Sequence, residues 1–306
     1  MNKTYQNPVC AGADPYILLY DGTYYLYATN ALTEGYKVFR SDDLVFWEDC
    51  GFCLKLGDVK GEIKEENGRI FGFWAPEVIH YHGKFYMIYT VNIHLGVAVS
   101  DSPLGPFVQQ EKKWIFEKNA IDGHFFVDDD DTVYLIYRCR KTNRIAGVKM
   151  NPDMNSVDES TDTLLLSPGE FPWEHTVENQ MTAEGPFLLK HKDKYYLSYS
   201  ANDYRNVDYA VGYAVSDHPL GEYKKYEGNP ILCRSDRVYG TGHHSFTTSK
   251  DGKQLVCVYH CHHSAEKIDP RMTCIDRAEF VPALNDGEDI LVIHGPTSEP
   301  VPVINP

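Results

Sequence analysis

Five similar segments of this 306-residue sequence each begin with a residue that could take part in chemistry. Four segments carry an ionisable residue eight or nine positions before a turn, namely Asp14, Asp122, Glu184 and His243, and the remaining segment offers Trp74 and Ala75 there. Three carboxyl groups in one pocket would suit the cleavage of a glycosidic bond. That reaction needs a protonated acid for the leaving oxygen and an ionised carboxylate that activates water or attacks the sugar.

Carboxyl groups in such a set take different roles because their surroundings differ. Like charges and partial burial raise the pKa of one carboxyl group, while another stays ionised. A third carboxylate can orient the acid and keep its pKa high. Trp74, with the Tyr and Phe residues of the sequence, would supply flat apolar surfaces against which sugar C–H faces pack.

Each of these residues also has a purely structural interpretation. Asp14 and Asp122 precede turn-forming residues and could cap loops, and Glu184 could be a surface acid at a strand entry. His243 and its neighbour His244 could be packing histidines. Their recurrence at the equivalent position of four repeats favours a functional site.

The segments that carry these residues have the pattern of β-hairpins. Each has a short apolar strand, a turn rich in Asp, Gly or Lys, and a second strand rich in Tyr. They cover residues 13–29, 75–90, 121–138, 183–200 and 242–260. Their turns recur at intervals of about 50 to 60 residues, and five units of about 61 residues fill the chain.

A long period with strands and almost no helical pattern is typical of a β-propeller, whose innermost strands line a central channel. We predict an all-β fold, a five-bladed β-propeller that forms a single domain over residues 1–306. The segment 58–69 is interpreted as an irregular charged loop. The related sequences VSDSPLGPF and VSDHPLGEY, at residues 99–107 and 215–223, predict equivalent outer hairpins of two blades.

The composition excludes several partners. With 29 Lys and Arg against 44 Asp and Glu, the formal net charge is −15, which disfavours binding to nucleic acid or to an anionic membrane surface. No apolar run approaches the ~18 residues of a membrane span. The N-terminal sequence lacks the apolar core of a secretory signal, so a cytoplasmic location is expected. The 22 Tyr and 13% aromatic content favour strands.

A run of Cys and His residues at 257–263 suggests a second candidate cluster. It ends a strand-like stretch in which successive side chains point to opposite faces, so one or two histidines could reach a common site. Strand packing with a polar rim is the preferred interpretation of this run.

The motifs ADPYI, WAPEV, IDGHFFVDDD, AEGPF and GTGHHSF occur in this order from Asp14 onwards, and the sequence thereby resembles glycoside hydrolase family 43. The resemblance implies a five-bladed propeller that hydrolyses glycosides with inversion of the anomeric configuration. It implies that Asp14 is the general base, that Glu184 is the general acid, and that Asp122 orients the acid and modulates its pKa.

The resemblance also implies residues that bind substrate. Trp74 would line the sugar pocket, and Arg271 would lie beside the substrate hydroxyl groups. His243 would line the channel and hold a water of a central calcium or other cation, although no cofactor is required. Gly123 stands where many members have proline, and His244 stands where glycine is frequent, so the choice between the two histidines stays open.

The expected substrate is an arabinose- or xylose-containing oligosaccharide from plant hemicellulose, cleaved at a terminal α-L-arabinofuranosyl or β-D-xylosyl residue. The end of the chain at Pro306, without an appended β-sandwich, tilts the expectation toward α-L-arabinofuranosidase. An endo-arabinanase, a galactan-active enzyme and a non-catalytic carbohydrate-binding propeller are the alternatives. Loops 58–73 and 202–208 are expected to determine which sugar is bound.

Overall fold

The computed structural model of the protein describes residues 4–177, 181–284 and 287–304, and the other positions of the predicted 1–306 domain lie outside these ranges. Within the described residues the chain forms 24 β-strands and two short 3-10 helices, Leu56–Asp58 and Pro172–Glu174. The strands of the first part are β1 (Thr4–Tyr5), β2 (Cys10–Ala11), β3 (Ala13–Tyr20), β4 (Thr23–Thr29), β5 (Gly35–Ser41), β6 (Glu48–Lys55), β7 (Lys64–Glu66), β8 (Arg69–Phe71), β9 (Phe73–Tyr81), β10 (Lys84–Val91) and β11 (His94–Ser100). Those of the second part are β12 (Ala120–Val127), β13 (Val133–Cys139), β14 (Arg144–Met150), β15 (Val157–Leu166), β16 (Ala183–His191), β17 (Lys194–Ala201), β18 (Ala210–Ser216), β19 (Lys224–Lys225), β20 (Gly242–Thr248), β21 (Leu255–Cys261), β22 (Met272–Val281), β23 (Ile290–Ile293) and β24 (Val301–Pro302).

Five antiparallel sheets form the blades, and the predicted five-bladed β-propeller is confirmed. Their strand orders are β3-β4-β5-β6, β9-β10-β11, β12-β13-β14-β15, β16-β17-β18-β19 and β20-β21-β22. The second blade is extended by a single bridge between Val99 and Val108. The first strands of neighbouring blades contact one another around the ring, from β3 through β9, β12 and β16 to β20 and back to β3.

The two ends of the chain complete the fifth blade. Strand β22 pairs with β2 from the N-terminal part of the chain at Met272 and Thr273, and with β23 from the C-terminal part at residues 278–281. Strands β1 and β24 pair beside them. Because the outer strand of this blade comes from both ends, the ring is closed by main-chain hydrogen bonds.

The tyrosines predicted on the second strands hold neighbouring blades together. Tyr89, Tyr137, Tyr199 and Tyr259 occupy the equivalent position of four blades and are buried. Their hydroxyl groups are not left unpaired, since those of the last three donate to Asp162, Glu174 and Asp276 at 2.6–2.7 Å. Each ring therefore fills the space between blades while its polar tip stays satisfied.

Every first strand contains a bulge at the mouth of the channel. Two consecutive residues face one residue of the second strand, and the pairs are Asp14–Pro15, Ala75–Pro76, Asp122–Gly123, Gly185–Pro186 and His243–His244. The first residue of each pair has a positive φ, between 34° for Ala75 and 55° for Asp122. Such a conformation costs roughly 1–3 kcal/mol in a residue other than glycine, and bulges of this kind redirect side chains next to functional sites.

The bulges correct the sequence alignment by one residue. Gly185, and not Glu184, occupies the position of Asp14, Asp122 and His243. Glu184 precedes the bulge and pairs with Ser200. Packing explains why position 123 is a glycine and not a proline, because a Cβ atom there would approach Ile88 Cγ1 to 2.5 Å.

The interpretation of residues 58–69 as an irregular loop is wrong in part. The segment contains β7 and continues into β8, and these two strands pair as a small hairpin between the first and second blades. In the described part of the chain, no helix is long and apolar enough to cross a membrane.

Candidate active site

A pocket of about 650 Å³ opens at the mouth of the central channel. The structure brings all six residues singled out in the sequence to its wall: Asp14, Trp74, Asp122, Glu184, His243 and Arg271. Residues 68–70 of the hairpin and Asp203 and Tyr204 of the 202–208 loop also line it. The two segments expected to contact the sugar therefore border the same cavity as the carboxyl groups.

Asp14 lies among positively charged and hydrogen-bonding groups. Arg271 Nη1 donates to its Oδ1 at 2.8 Å, and His243 Nδ1 lies 3.3 Å from the same oxygen. Thr29 Oγ1 donates to Oδ2 at 2.7 Å. Burial alone would raise the pKa of Asp14, but Arg271 and His243, helped by His260, outweigh it and hold the pKa well below its usual value of 3.8. This carboxyl group is therefore ionised across the neutral range.

Glu184 lies in a different electrostatic environment. Arg138 donates to its Oε2, and the Tyr209 hydroxyl donates to Oε1 at 3.0 Å. Burial raises the pKa of Glu184 and the charge of Asp122 raises it further, so that together they overcome Arg138, and the pKa lies above its usual value of 4.5. Glu184 therefore holds its proton to a higher pH than Asp14 does.

Asp122 lies between the acid and the next blade. Its Oδ2 accepts a hydrogen bond from the backbone N–H of Gly185 at 3.2 Å, directly beside Glu184. The side chain is buried, so its negative charge acts on Glu184 with little screening. Asp122 is thus placed to affect the protonation of Glu184.

A ring of hydrogen bonds joins the blades at the bulges. The backbone N–H of the bulge is bound by a side chain from the end of the preceding blade's second strand, in the bonds of Ala75 to Thr29 (2.8 Å), Asp122 to Thr90 (3.4 Å), His243 to Ser200 (2.8 Å) and Asp14 to His260 (3.2 Å). The junction between blades three and four differs. Arg138 stands at the equivalent position, has no acceptor atom, and binds the Glu184 carboxylate instead.

His243 and His244 have different surroundings. His243 lines the large pocket, whereas His244 is buried below it with Nε2 2.6 Å from Ser198 Oγ. Burial lowers the pKa of His244 to about 3, helped by His243. For His243 burial also lowers the pKa, but Asp14, Asp122 and Glu184 outweigh it and the pKa is raised. His243 is therefore the histidine that faces the carboxyl groups.

Direct coordination of a cation in the channel is not supported by the donor set. Below the pocket the channel narrows to a space of about 10 Å³ lined by Asp14, Glu77, Asp122, His243 and His244. Glu77 is already paired with His124, at 2.7 Å from Nδ1. Among the described residues, no group of three or more His, Cys, Asp or Glu is placed to hold a metal ion. The residues present do not fit direct coordination, and no step proposed below involves a metal.

Trp74 and Arg271, which were predicted to bind the sugar, contact further side chains at the pocket wall. The Arg69 guanidinium carbon lies 5.2 Å from the Trp74 ring centroid, and Phe71 packs beside Trp74. Arg271, besides binding Asp14, lies over the ring of Tyr204 at 4.6 Å. Trp74 and Tyr204 thus present aromatic rings to the pocket, each in contact with an arginine.

Several site residues were missed in the sequence. Arg138, Tyr209 and Thr29 contact the carboxyl groups, and His260 belongs to the run for which strand packing was preferred. Tyr209 connects the surroundings of Glu184 and Asp14. Its hydroxyl donates to Glu184, and its ring stacks at 5.7 Å on His260, which accepts from the backbone N–H of Asp14. A signal was present, since Thr29 is the last residue of β4, and Arg138 and His260 are the next-to-last residues of β13 and β21.

Comparison with known proteins shows which family the sequence matches. The sequence profile of glycosyl hydrolases family 43 matches residues 5–283. A solved structure of a thermostable family-43 glycoside hydrolase is 38% identical, with a TM-score of 0.85 over 99% of this chain and 100% of that one. An endo-1,4-beta-xylanase from Bacteroides thetaiotaomicron is 37% identical, with a TM-score of 0.84 over 97% of this chain and 98% of that one.

Characterised relatives are more distant in sequence. A beta-D-galactofuranosidase of Aspergillus niger is 26% identical and covers 94% of this chain and 84% of its own length. A beta-xylosidase of Xylanibacter ruminicola is also 26% identical and covers 85% of this chain and 91% of its own. The relatives therefore share a reaction class and differ in the sugar named.

Proposed function

The chain belongs to glycosyl hydrolases family 43 and is a glycoside hydrolase; from that premise we propose that it inverts the anomeric configuration and releases terminal α-L-arabinofuranosyl or β-D-xylosyl residues from plant-derived oligosaccharides. The observation that carries the proposal is the opposite shift of two carboxyl groups in one pocket. The pKa of Asp14 lies below its usual value and that of Glu184 lies above it. An inverting glycosidase needs one ionised base and one protonated acid.

Asp14 is the proposed general base. Its ionised carboxylate accepts a proton from water, which then attacks the anomeric carbon from the face opposite the leaving group. Arg271 and Thr29 hold the two oxygens of Asp14 in place, so that the base does not need to reorganise. The water proton passes to Asp14 as the new carbon–oxygen bond forms.

Glu184 is the proposed general acid. It donates its proton to the glycosidic oxygen while the bond to the anomeric carbon breaks, so the leaving group departs as a neutral alcohol. Asp122 is proposed as the pKa modulator, because its charge disfavours ionisation of Glu184. As the proton leaves, Arg138 and Tyr209 stabilise the developing carboxylate.

Leaving-group dependence tests these roles separately. The Glu184→Ala variant should lose at least about 100-fold in kcat on an alkyl or xylo-oligosaccharide substrate, and much less on a dinitrophenyl glycoside, whose leaving group needs no protonation. Asp14→Asn should lose activity on both substrates alike. Equal losses on both substrates for Glu184→Ala would contradict its role, and full activity in both variants would overturn the whole assignment.

The stereochemistry is tested by proton NMR of the first product. Inversion predicts that the sugar appears first as the anomer opposite to that of the substrate and then mutarotates. Retention would require the two carboxyl groups to be only about 5 Å apart, in place of the about 6.5–9.5 Å that admits a water molecule.

An endo-acting enzyme is the second candidate, favoured by the relative named as an endo-1,4-beta-xylanase at 37% identity. Product analysis on arabinan, arabinoxylan and xylo-oligosaccharides separates the two. Exo action predicts monosaccharide from the first time point. Accumulation of oligosaccharides before any monosaccharide would favour the endo candidate.

A further inference from the structure

Two arginines that line the pocket have no acidic partner among the residues that the structure describes. Arg138 pairs with Glu184 and Arg271 pairs with Asp14, but Arg69 and Arg140 also line the cavity. Within the residues that the structure describes, neither of their guanidinium groups lies within 4.0 Å of a carboxylate or makes a hydrogen bond. Their positive charges are therefore available to interact with a ligand in the pocket.

The two residues come from different elements that border the same cavity. Arg69 opens β8 in the small hairpin between the first and second blades and is exposed. Arg140 directly follows β13 of the third blade and is partly buried. Contact with the Trp74 ring restrains Arg69, because a guanidinium group is attracted to the face of an aromatic ring.

Arg140 carries its charge at a cost. Burial lowers the pKa of Arg140, and the charges of Arg138 and Arg69 lower it further, whereas the charges of Glu184 and Asp122 offset this only in part. Among the described residues, Arg138 is the one of these three cations that forms an ion pair, and Asp203, another acid of the pocket wall, is bound by Arg205 at 2.6 Å. A partly buried charge without a partner is unfavourable, and an anionic ligand would remove that penalty.

We propose, building on the glycosidase function above, that Arg69 and Arg140 bind the carboxylate of a uronic acid residue in the leaving-group part of the substrate. A guanidinium group presents its N–H donors in a planar fork that matches a carboxylate. Arg140 lies near the Arg138–Glu184 pair, where the acid meets the leaving group. The substrate is then an acidic oligosaccharide, such as a xylo-oligosaccharide with a glucuronosyl substituent.

The test compares one oligosaccharide in two forms. A glucuronosyl-substituted xylo-oligosaccharide is used as prepared and after reduction of its carboxyl group to a primary alcohol, which changes the charge and little else. Calorimetric binding and kcat/KM are measured for both. The binding measurement does not need turnover, so a failure of this proposal is distinguishable from a failure of the proposed glycosidase activity.

The wild-type protein should prefer the acidic form by about 10- to 100-fold in both affinity and kcat/KM. Arg140→Met should remove most of this preference and Arg69→Met part of it, and the preference is taken within each variant as the ratio of its values for the acidic and the reduced form, so that a general loss of activity cancels. Arg144→Met is the matched control, since Arg144 is exposed outside the pocket, and it should keep the full preference.

Two results would overturn the proposal. One is equal binding of the acidic and reduced forms by the wild-type protein, which needs no variant and is independent of folding. The other is a preference that survives in the Arg69→Met, Arg140→Met double variant, because the carboxylate would then be recognised elsewhere. Thermal melting of each variant verifies its fold, and Arg69→Met, on an exposed hairpin, gives a second measurement if Arg140→Met does not fold.

Discussion

The surroundings of Asp14 and of Glu184 are built alike and have opposite effects. Both carboxyl groups are buried, and each is bound by one arginine, Arg271 or Arg138. Asp14 has His243 as a further positive neighbour, whereas Glu184 has Asp122, a second negative charge. An arginine alone therefore does not decide which carboxyl group holds the proton. The sign of the second charged neighbour, positive for His243 beside Asp14 and negative for Asp122 beside Glu184, decides it.

The propeller repeat explains how this asymmetry arises. Four of the five blade junctions use a threonine, serine or histidine to bind the bulge N–H, and the junction next to Glu184 uses Arg138 in that place. At this junction Arg138 therefore contacts the carboxyl group of Glu184, whereas the equivalent residues of the other junctions contact the backbone N–H of the bulge. Asp122 then takes over the bulge N–H of Gly185, which brings the second negative charge beside Glu184.

Removing the charge of Asp122 should have the largest effect on the difference in pKa between Asp14 and Glu184. In Asp122→Asn the pKa of Glu184 falls, because the neighbouring charge that raises it is gone. Glu184 then loses its proton at lower pH, and the alkaline limb of the kcat/KM profile moves to lower pH. Activity at neutral pH should fall at least about 100-fold. Asp130→Asn, in the turn of the same blade, is the control, and an unmoved alkaline limb in Asp122→Asn would contradict the account.

Removing the cation beside the base should have the next largest effect. In Arg271→Met the pKa of Asp14 rises, since Arg271 is the main group that opposes the effect of burial. Asp14 is then protonated at higher pH, so the acid limb of kcat/KM moves upward while the alkaline limb stays in place. We expect a loss of about 10- to 100-fold at the pH optimum. A shift of the alkaline limb instead would mean that Arg271 acts on the acid.

The smallest effect is expected from Tyr209→Phe. The Tyr209 hydroxyl stabilises the ionised form of Glu184, so its loss raises the pKa of Glu184 and moves the alkaline limb to higher pH. The direction is opposite to that of Asp122→Asn, and the loss of kcat should be about 2- to 10-fold. Tyr226→Phe, in which the ring stacks on Tyr213 away from the pocket, should leave the profile unchanged. Shifts of Asp122→Asn and Tyr209→Phe in the same direction would contradict the account.

The sequence was sufficient for the fold and for the principal carboxyl groups. The hairpin pattern recurs with tyrosines on each second strand, and the ionisable residues stand at the strand starts, so the repeat alone brings Asp14, Asp122 and Glu184 together. The one-residue offset of Glu184 was not predictable in the same way. It depends on where each bulge places its residue of positive φ, and the sequences around the bulges differ from blade to blade.

The partners of the carboxyl groups were harder to predict because they come from other strands, either of the same blade or of a neighbouring one. Arg138 reaches Glu184 from the third blade and is 46 residues away in sequence, whereas Tyr209, directly before β18, reaches it within the fourth blade. The hairpin of β7 and β8 was also missed. Each of its strands has only three residues, and β7 consists of one Lys and two Glu, so the alternation of apolar and polar residues that indicates a strand with one buried face is missing.

The proposed mechanism depends on opposite shifts of the pKa values of the two buried carboxyl groups. Carbon-13 NMR titration of the protein labelled at Asp and Glu carboxyl carbons, assigned with Asp14→Asn and Glu184→Gln, measures both pKa values directly. We expect Asp14 to titrate below 3.8 and Glu184 above 4.5. Titration of Asp14 at a higher pH than Glu184 would contradict it.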